Sequence, residues 1–166
     1  MDTPQVAIEY MIMVPILIAQ IFLFPYVASI MMNNWTDARR TIAIQEAASC
    51  LSSSMQQLYS SMNHDTITNG TVTYNLDLPL YIENYPYIGN ATLRTASSDS
   101  NGSRILEITL RYSGIGISTT AIATFGGNMQ WKNSTFFSNS TSAGIVAEKY
   151  WNVTTQMSMI RMQFAS

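Results

Sequence analysis

The chain has 166 residues, a formal net charge of −2 and only 11% charged residues. This length supports one domain plus an apolar segment, or at most two small domains. The acidic balance argues against a nucleic-acid partner, because phosphate neutralisation needs a basic surface, and a single cysteine, Cys50, excludes an intrachain disulfide and a cysteine-based metal site.

An apolar segment, Val6–Met32, lies near the start of the chain and carries one formal charge, Glu9. As a helix at ~1.5 Å per residue it would extend ~40 Å, which exceeds the ~30 Å hydrocarbon core of a bilayer. Pro15 and Pro25 each remove one backbone hydrogen bond, so helix kinks are expected there. The segment lacks the basic start, the shorter apolar core and the cleavage site of a secretory signal peptide.

The helical pattern continues without Pro or Gly from Trp35 to Met62. Six apolar residues recur there at spacings of three and four: Ile44, Ala48, Leu51, Met55, Leu58 and Met62. Such a stripe is typical of a helix that packs against a domain. We therefore expect one helix from about residue 4 to about residue 63. Its first half is apolar all round, and its second half is amphipathic. Cys50 is expected to be a small buried residue of this helix, and an intermolecular disulfide is the alternative.

Beyond Asn63 the apolar residues alternate with polar ones, which is typical of half-buried strands. Strands are predicted at Thr71–Leu78, Tyr81–Ile82, Tyr87–Leu93, Arg104–Tyr112, Ile117–Phe125, Asn128–Phe137 and Val153–Phe164. Turns are predicted at Ser97–Ser103 and at Gly126-Gly127. Short strands joined by polar turns favour an antiparallel β-sandwich, Ig-like, or a partly open barrel. The predicted fold class is therefore α+β.

These patterns divide the chain into an N-terminal helix, residues 1–63, and a β-rich head, residues 64–166. Within the helix, residues 1–34 form the apolar part. Residues 35–63 carry the stripe and are expected to pack on the head.

Seven Asn-x-Ser/Thr sequons are spread along the chain, none with proline in the middle: Asn34, Asn69, Asn90, Asn101, Asn133, Asn139 and Asn152. Six lie in the predicted head, mostly near turns where a glycan is accessible. Asn34 directly follows the apolar segment, where steric access is restricted. A polar, uncharged surface is the alternative interpretation. We favour N-glycosylation of an exported head, since glycans would also keep so weakly charged a domain soluble.

The residues offer little support for catalysis. His64 is the only histidine and is expected to be a solvated loop residue, so a Ser-His-Asp interpretation would depend on it alone. Asp77 and Glu83 are expected to face solvent from strand edges. Gly114-Ile-Gly116 and Gly126-Gly127 lack the strand and helix context of a phosphate-binding loop. We expect no enzymatic activity, no catalytic or metal-binding residues and no cofactor, apart from covalent N-glycans.

Glu9 is an unusual residue for such a segment, because an ionised carboxylate in hydrocarbon costs at least ~2.5 kcal/mol. One interpretation is that Glu9 complements the dipole at the helix N-terminus. The interpretation we favour is that Glu9 pairs with a cation, such as a terminal amine, from another copy of the chain.

The pentapeptide QVAIE at residues 5–9, followed by the apolar helix, resembles the N-terminus of archaeal type IV pilins that are processed at a class III signal, Gln-x-Ser-x-Glu. Gln5 and Glu9 match this signal, and Ala7 replaces the usual Ser. In that family a dedicated peptidase cuts before the Gln, the Glu then lies four residues beyond the new terminus, and the helices pack into a filament core. The resemblance covers Gln5–Met62, and Leu78–Gly89 also looks similar to such pilins.

The residues before Gln5, Met1-Asp2-Thr3-Pro4, lack the basic side chains that usually precede the cut in that family. Two interpretations are open. Either an earlier leader has already been removed and Met1 begins the mature chain, or this is an unprocessed short form.

The resemblance implies the repeating subunit of an extracellular adhesive filament, inserted in the membrane before assembly. Its implied partners are other copies of itself, the membrane, a prepilin peptidase and the pilus assembly machinery. Gln5 and Glu9 are the expected assembly residues, and residues 1–34 the expected filament core. Two alternatives are an archaellum-type motility filament and a membrane-anchored ectodomain that binds a ligand.

Overall fold

A computed structural model of the chain describes residues 3–95, 102–114, 116–141 and 143–165, with side chains from Glu9 onward. In this described part, one long helix precedes eight strands in two sheets. The predicted α+β class with a β-sandwich head is thereby confirmed. The chain divides into two compact units, Met1–Arg39 and Arg40–Ser166.

Helix α1 spans Thr3–Met62 and includes both Pro15 and Pro25. All six residues of the predicted apolar stripe are buried, at 8% exposure or less, which confirms that part of the prediction. Ala47 and Ser52 widen the buried face. The stripe belongs to the same core cluster as the inward-facing residues of both sheets, so the second half of α1 and the strands share one core.

The strands are β1 Gly70–Asn75, β2 Tyr87–Thr95, β3 Arg104–Tyr112, β4 Ser118–Phe125, β5 Met129–Trp131, β6 Thr135–Phe137, β7 Gly144–Asn152 and β8 Met157–Ala165. One sheet has the order β1-β7-β8-β5, and the other has the order β4-β3-β2-β6. Neighbouring strands are antiparallel, except that β5 runs parallel to β8.

Alternating side chains from the two sheets face each other and form the core of the head. The largest fully buried ones include Tyr87, Leu106, Ile108, Leu110, Met129, Phe136, Ile145 and Phe164. Because successive residues of a strand point to opposite faces, the residues between them carry the polar outer surface. In β2, for example, Tyr87, Gly89 and Ala91 are buried while Asn90 is exposed.

The end of α1 is fixed by a hydrogen-bond network around Asn128, in the turn between β4 and β5. The Tyr59 hydroxyl donates to Asn128 Oδ1 and accepts from the Gly126 backbone N–H at 3.1 Å. Asn128 Nδ2 donates to Asn63 Oδ1 at 2.8 Å and to the Ser158 carbonyl. The turn predicted at Gly126-Gly127 is present, closed by the Met129 N–H on the Gly126 carbonyl.

A second group of contacts lies where α1 enters the head unit, around Arg40. Arg40 Nε donates to Glu83 Oε2 at 3.2 Å, and its guanidinium lies 5.2 Å from the centre of the Tyr85 ring. The Tyr112 hydroxyl donates to the Arg40 backbone carbonyl at 3.0 Å. The prediction that Glu83 faces solvent is therefore wrong: this carboxylate is mostly buried by its ion pair, whereas Asp77 is exposed as expected.

Lys149 in β7 is only 4% exposed. Its Nζ donates to the His64 carbonyl at 2.9 Å, just beyond the end of α1. A buried ammonium needs such an acceptor, because loss of water without a hydrogen bond is costly. The bond thus joins the helix terminus to the central part of one sheet.

Several predicted strands differ from the observed ones. Asn128–Phe137 is split into β5 and β6, which belong to different sheets. The predicted final strand starts later, because residues 153–156 form the turn between β7 and β8. Tyr81–Ile82 contributes only an isolated bridge from Ile82 to Tyr85. Strand β7 was not predicted at all, and the loop predicted at Ser97–Ser103 lies mostly outside the described residues.

Strand β1 is shorter than predicted and ends at Asn75. Val72 and Tyr74, expected on its buried face, are 41% and 42% exposed, because β1 is an edge strand and the core is covered mainly by its neighbours. Cys50 is exposed, so the prediction of a buried cysteine is wrong. Cys50 directly precedes the buried Leu51, but it lies outside the apolar stripe and faces away from the core.

Candidate assembly surface on the N-terminal helix

The apolar part of α1 presents its large side chains outward in every direction. From Glu9 to Trp35 every residue is exposed, including Met11 at 80% and Phe24 at 79%. A contiguous apolar surface of this size on a protein marks an interaction site with another protein or a membrane. By length and composition, the helix contains a segment that could cross a membrane.

The prolines lie inside this exposed segment, and α1 continues through both. A proline has no N–H to donate to the carbonyl four residues earlier. Pro15 therefore leaves the Met11 carbonyl without its usual donor, and Pro25 does the same for the Ile21 carbonyl.

Polar side chains at the far end of the segment bond within their own helix. The Ser29 hydroxyl donates to the Tyr26 carbonyl at 2.8 Å, and the Thr36 hydroxyl donates to the Met32 carbonyl at 2.9 Å. The Arg39 guanidinium lies 5.1 Å from the centre of the Trp35 ring. The Ser29 and Thr36 hydroxyls thus find their acceptors within the helix itself.

Glu9 is exposed on α1, and Gln5 lies in the same helix four residues earlier. Sequence reasoning did not single out Gln20, which is also exposed, in the middle of the apolar segment. Its position around the helix could have identified it. Gln20 lies three turns after Glu9 and about 20° from it around the helix axis, and Asn34 lies about 20° from Glu9 in the opposite sense.

The described sequon asparagines are accessible. Asn34 on α1, and Asn69, Asn90, Asn133 and Asn139 in the head unit, are exposed, and Asn152 is partly exposed. Asn101 lies outside the described residues. Asn69 immediately precedes β1, while Asn133 and Asn139 lie in the loops on either side of β6.

Two of these asparagines have defined surroundings. Asn90 lies in the middle of β2, paired with Thr109 on one side and Thr135 on the other, so it sits on the outer face of a sheet. Asn152 ends β7, and its Oδ1 accepts hydrogen bonds from the backbone N–H groups of Thr154 and Thr155, at 2.9 and 3.4 Å. This turn leaves the Nδ2 atom of Asn152, the atom that a glycan would modify, without a protein partner in the described structure.

Of the groups considered for catalysis, Asp77 and Glu83 line one pocket beside the second half of α1, and His64 lies apart from them in the turn after α1. His64 is exposed in the turn after α1, as predicted, with its Nδ1 3.0 Å from Thr66 Oγ1. Within residues 3–95, 102–114, 116–141 and 143–165, no group of three or more His, Cys, Asp or Glu side chains is placed to hold a metal ion.

Comparisons of the chain with known protein families, with curated proteins and with solved structures found no match.

Proposed function

We propose that this protein is the structural subunit of an extracellular type IV pilus-like filament that polymerises through its N-terminal helix. The observation that carries the proposal is the fully exposed apolar segment of α1, attached to a head unit whose own core is complete. A soluble monomer would leave this segment in water, which costs about 25 cal/mol of free energy per Å² of exposed apolar surface.

The proposed mechanism is a change of surroundings for residues 1–34. The segment first lies in the membrane, where lipid covers its apolar side chains. Assembly then removes it from the lipid and packs it among the same segments of other copies. Because apolar area is buried in both states, the two environments are close in free energy and a modest bias can drive assembly.

Glu9 supplies such a bias. An ionised carboxylate is expensive at the membrane interior, by at least ~2.5 kcal/mol. A cation from a neighbouring copy would compensate this cost in the filament but not in lipid. Gln5 would mark the site where a prepilin peptidase cuts, by the resemblance to archaeal type IV pilins.

The head would form the outer sheath of the filament. Its exposed sequons are suited to carry N-glycans outside the cell, and its surface would meet other cells or solid surfaces. The proposal assigns the protein no enzymatic activity and no cofactor.

Electron microscopy of the purified full-length protein tests the proposal. We expect uniform filaments after removal of detergent. Particles that remain detergent-soluble monomers under all conditions tried would instead favour a membrane-anchored ectodomain.

A Glu9→Ala variant tests the mechanism. We expect the head to fold normally, with an unchanged circular-dichroism spectrum, while the yield of sedimentable filaments falls at least tenfold. The matched control is Tyr10→Phe, which changes the neighbouring residue but no formal charge. A normal filament yield from Glu9→Ala would contradict the pairing role.

A further inference from the structure

Glu9 and Gln20, the two long polar side chains of the apolar segment, lie on one face of the helix, and Asn34, just beyond the segment, lies on the same face. At ~100° per residue, Gln20 is about 20° from Glu9 around the helix axis, and Asn34 is about 20° from Glu9 in the opposite sense. We call the face defined by Glu9, Gln20 and Asn34 the amide face. Gln20 lies on it about 17 Å along the axis from Glu9.

The opposite side of the same helix carries unused hydrogen-bond acceptors. Pro15 and Pro25 lie about 120° and 160° from Glu9, in opposite senses, so both are on the back of the amide face. Each leaves one carbonyl without its helical donor, at Met11 and at Ile21. We call this side the proline face.

The Gln20 side chain carries hydrogen-bond donors that these free carbonyls could accept. It is exposed and makes no hydrogen bond in the described structure, unlike Ser29, whose hydroxyl bonds to its own helix. An amide N–H₂ provides two donors. In hydrocarbon, neither the amide nor a freed carbonyl finds water, and lipid tails offer no partner.

We propose that the amide face of one copy packs on the proline face of the next copy, with the Gln20 amide donating to a carbonyl freed by Pro15 or Pro25. The occupant of each face is thus a second copy of the same segment. The inference rests on the proposed function, in which these segments pack together.

This contact has a geometric consequence. The two faces differ and lie on opposite sides of one helix, so the contact is heterologous. A heterologous contact leaves one amide face and one proline face unused at the ends of any chain of copies, and it generates open-ended polymers when the rotation does not close. An isologous contact between two amide faces would instead stop at a dimer.

The first experiment compares three full-length variants for the subunit concentration needed to form sedimentable filaments. Gln20→Leu removes the amide at similar volume and should raise that concentration about three- to tenfold, the range of one interhelical hydrogen bond. Gln20→Asn keeps the amide and should restore much of the loss. Tyr26→Phe, the matched control, removes a hydroxyl from the flank of the same segment and should have no effect.

The second experiment asks whether the amide and a freed carbonyl interact. Pro15→Ala and Pro25→Ala restore the missing helical N–H and improve the intrinsic stability of the helix. One of them should nevertheless weaken polymerisation, and its effect should not add to that of Gln20→Leu. Additive effects in both double variants would overturn the proposed bond.

A third measurement separates this contact from filament formation. The exposed Cys50 accepts donor and acceptor dyes, so energy transfer between labelled copies in phosphatidylcholine vesicles reports association within the bilayer. We expect transfer for the natural chain and for Tyr26→Phe, and less transfer for Gln20→Leu. If filaments never form but transfer depends on Gln20, the proposed function fails and the contact stands. If transfer and polymerisation are both unchanged in Gln20→Leu, the contact is wrong.

Discussion

The hydroxyls of Tyr59, Tyr87 and Tyr112 lie wholly or partly inside the head. Burial raises the pKa of each above its ordinary value, because the phenolate loses its hydration there, and the effect is largest for Tyr87. Tyr87 is fully buried, and its hydroxyl donates to the Pro79 carbonyl at 2.8 Å.

These residues predict a loss of stability in alkali. In the unfolded chain a tyrosine ionises near pH 10, whereas the folded head still holds the proton at that pH. The folded state then binds more protons, so the contribution of these tyrosines to the free energy of unfolding is constant below about pH 9 and falls as pH rises above about 10. Urea unfolding at several pH values measures this dependence. Tyr87→Phe should make the fall shallower, and an unchanged slope in that variant would contradict the assignment.

Lys149 shows why individual strands escape prediction. Strand β7 includes Ala147, Glu148 and Lys149, residue types that are depleted in strands. Ala147 and Lys149 are buried because β7 is central, between β1 and β8, and the Lys149 ammonium donates a hydrogen bond to the His64 carbonyl. Both conditions depend on residues distant in the sequence, so local propensity could not reveal them.

The second half of α1 is the element for which sequence pattern and structure agree best. Its stripe could be predicted because a helix that covers a core repeats its apolar residues every three to four positions. The pattern fails at the edge of the stripe, where Cys50 is exposed although its neighbour Leu51 is fully buried. Both residues are apolar, so residue type does not separate the buried position from the exposed one. Their positions around the helix axis do.

This pair gives a test at the scale of the element. Leu51→Ala should lower the free energy of unfolding of the head by about 2–5 kcal/mol, because it leaves a cavity in the core that α1 shares with the strands. Cys50→Ala, one position earlier, should change it by less than about 0.5 kcal/mol. Chemical unfolding followed by circular dichroism measures both. Equal losses in the two variants would show that the buried face is misplaced.

The strands were predictable where alternation is long and bounded by turns, as in β3, which matches Arg104–Tyr112 at both ends. Asn128–Phe137 was misjudged because residues 132–134 leave one sheet and the chain enters the other. A change of sheet within ten residues depends on the packing of both sheets, and the local pattern carries no sign of it.

At the scale of the whole molecule, few charges and many sequons are the main surface features. The described sequon asparagines are at least partly exposed, so we expect glycans on several of them in protein from the native source. Intact-mass measurement and glycopeptide mapping should find sugar at several sites, including Asn90 and Asn152. A mass equal to that of the bare chain would overturn the argument that glycans keep the head soluble.

The candidate assembly surface was only partly accessible to sequence reasoning. The apolar segment and Glu9 stand out by composition, because one charge among so many apolar residues is conspicuous. Gln20 does not stand out in this way, since its amide is uncharged and differs less from the apolar residues around it. Its placement relative to Glu9, Pro15 and Pro25 becomes meaningful only when the helix is continuous through both prolines.

Among the described side chains, the first buried residue of the core is Ile44, well after the apolar segment. The head can therefore reach its final form before any neighbour arrives. If the protein is the filament subunit proposed above, a cell could hold a reserve of finished subunits in the membrane and draw on it at once when a filament starts to grow. A subunit returned to the membrane would then be ready for use again.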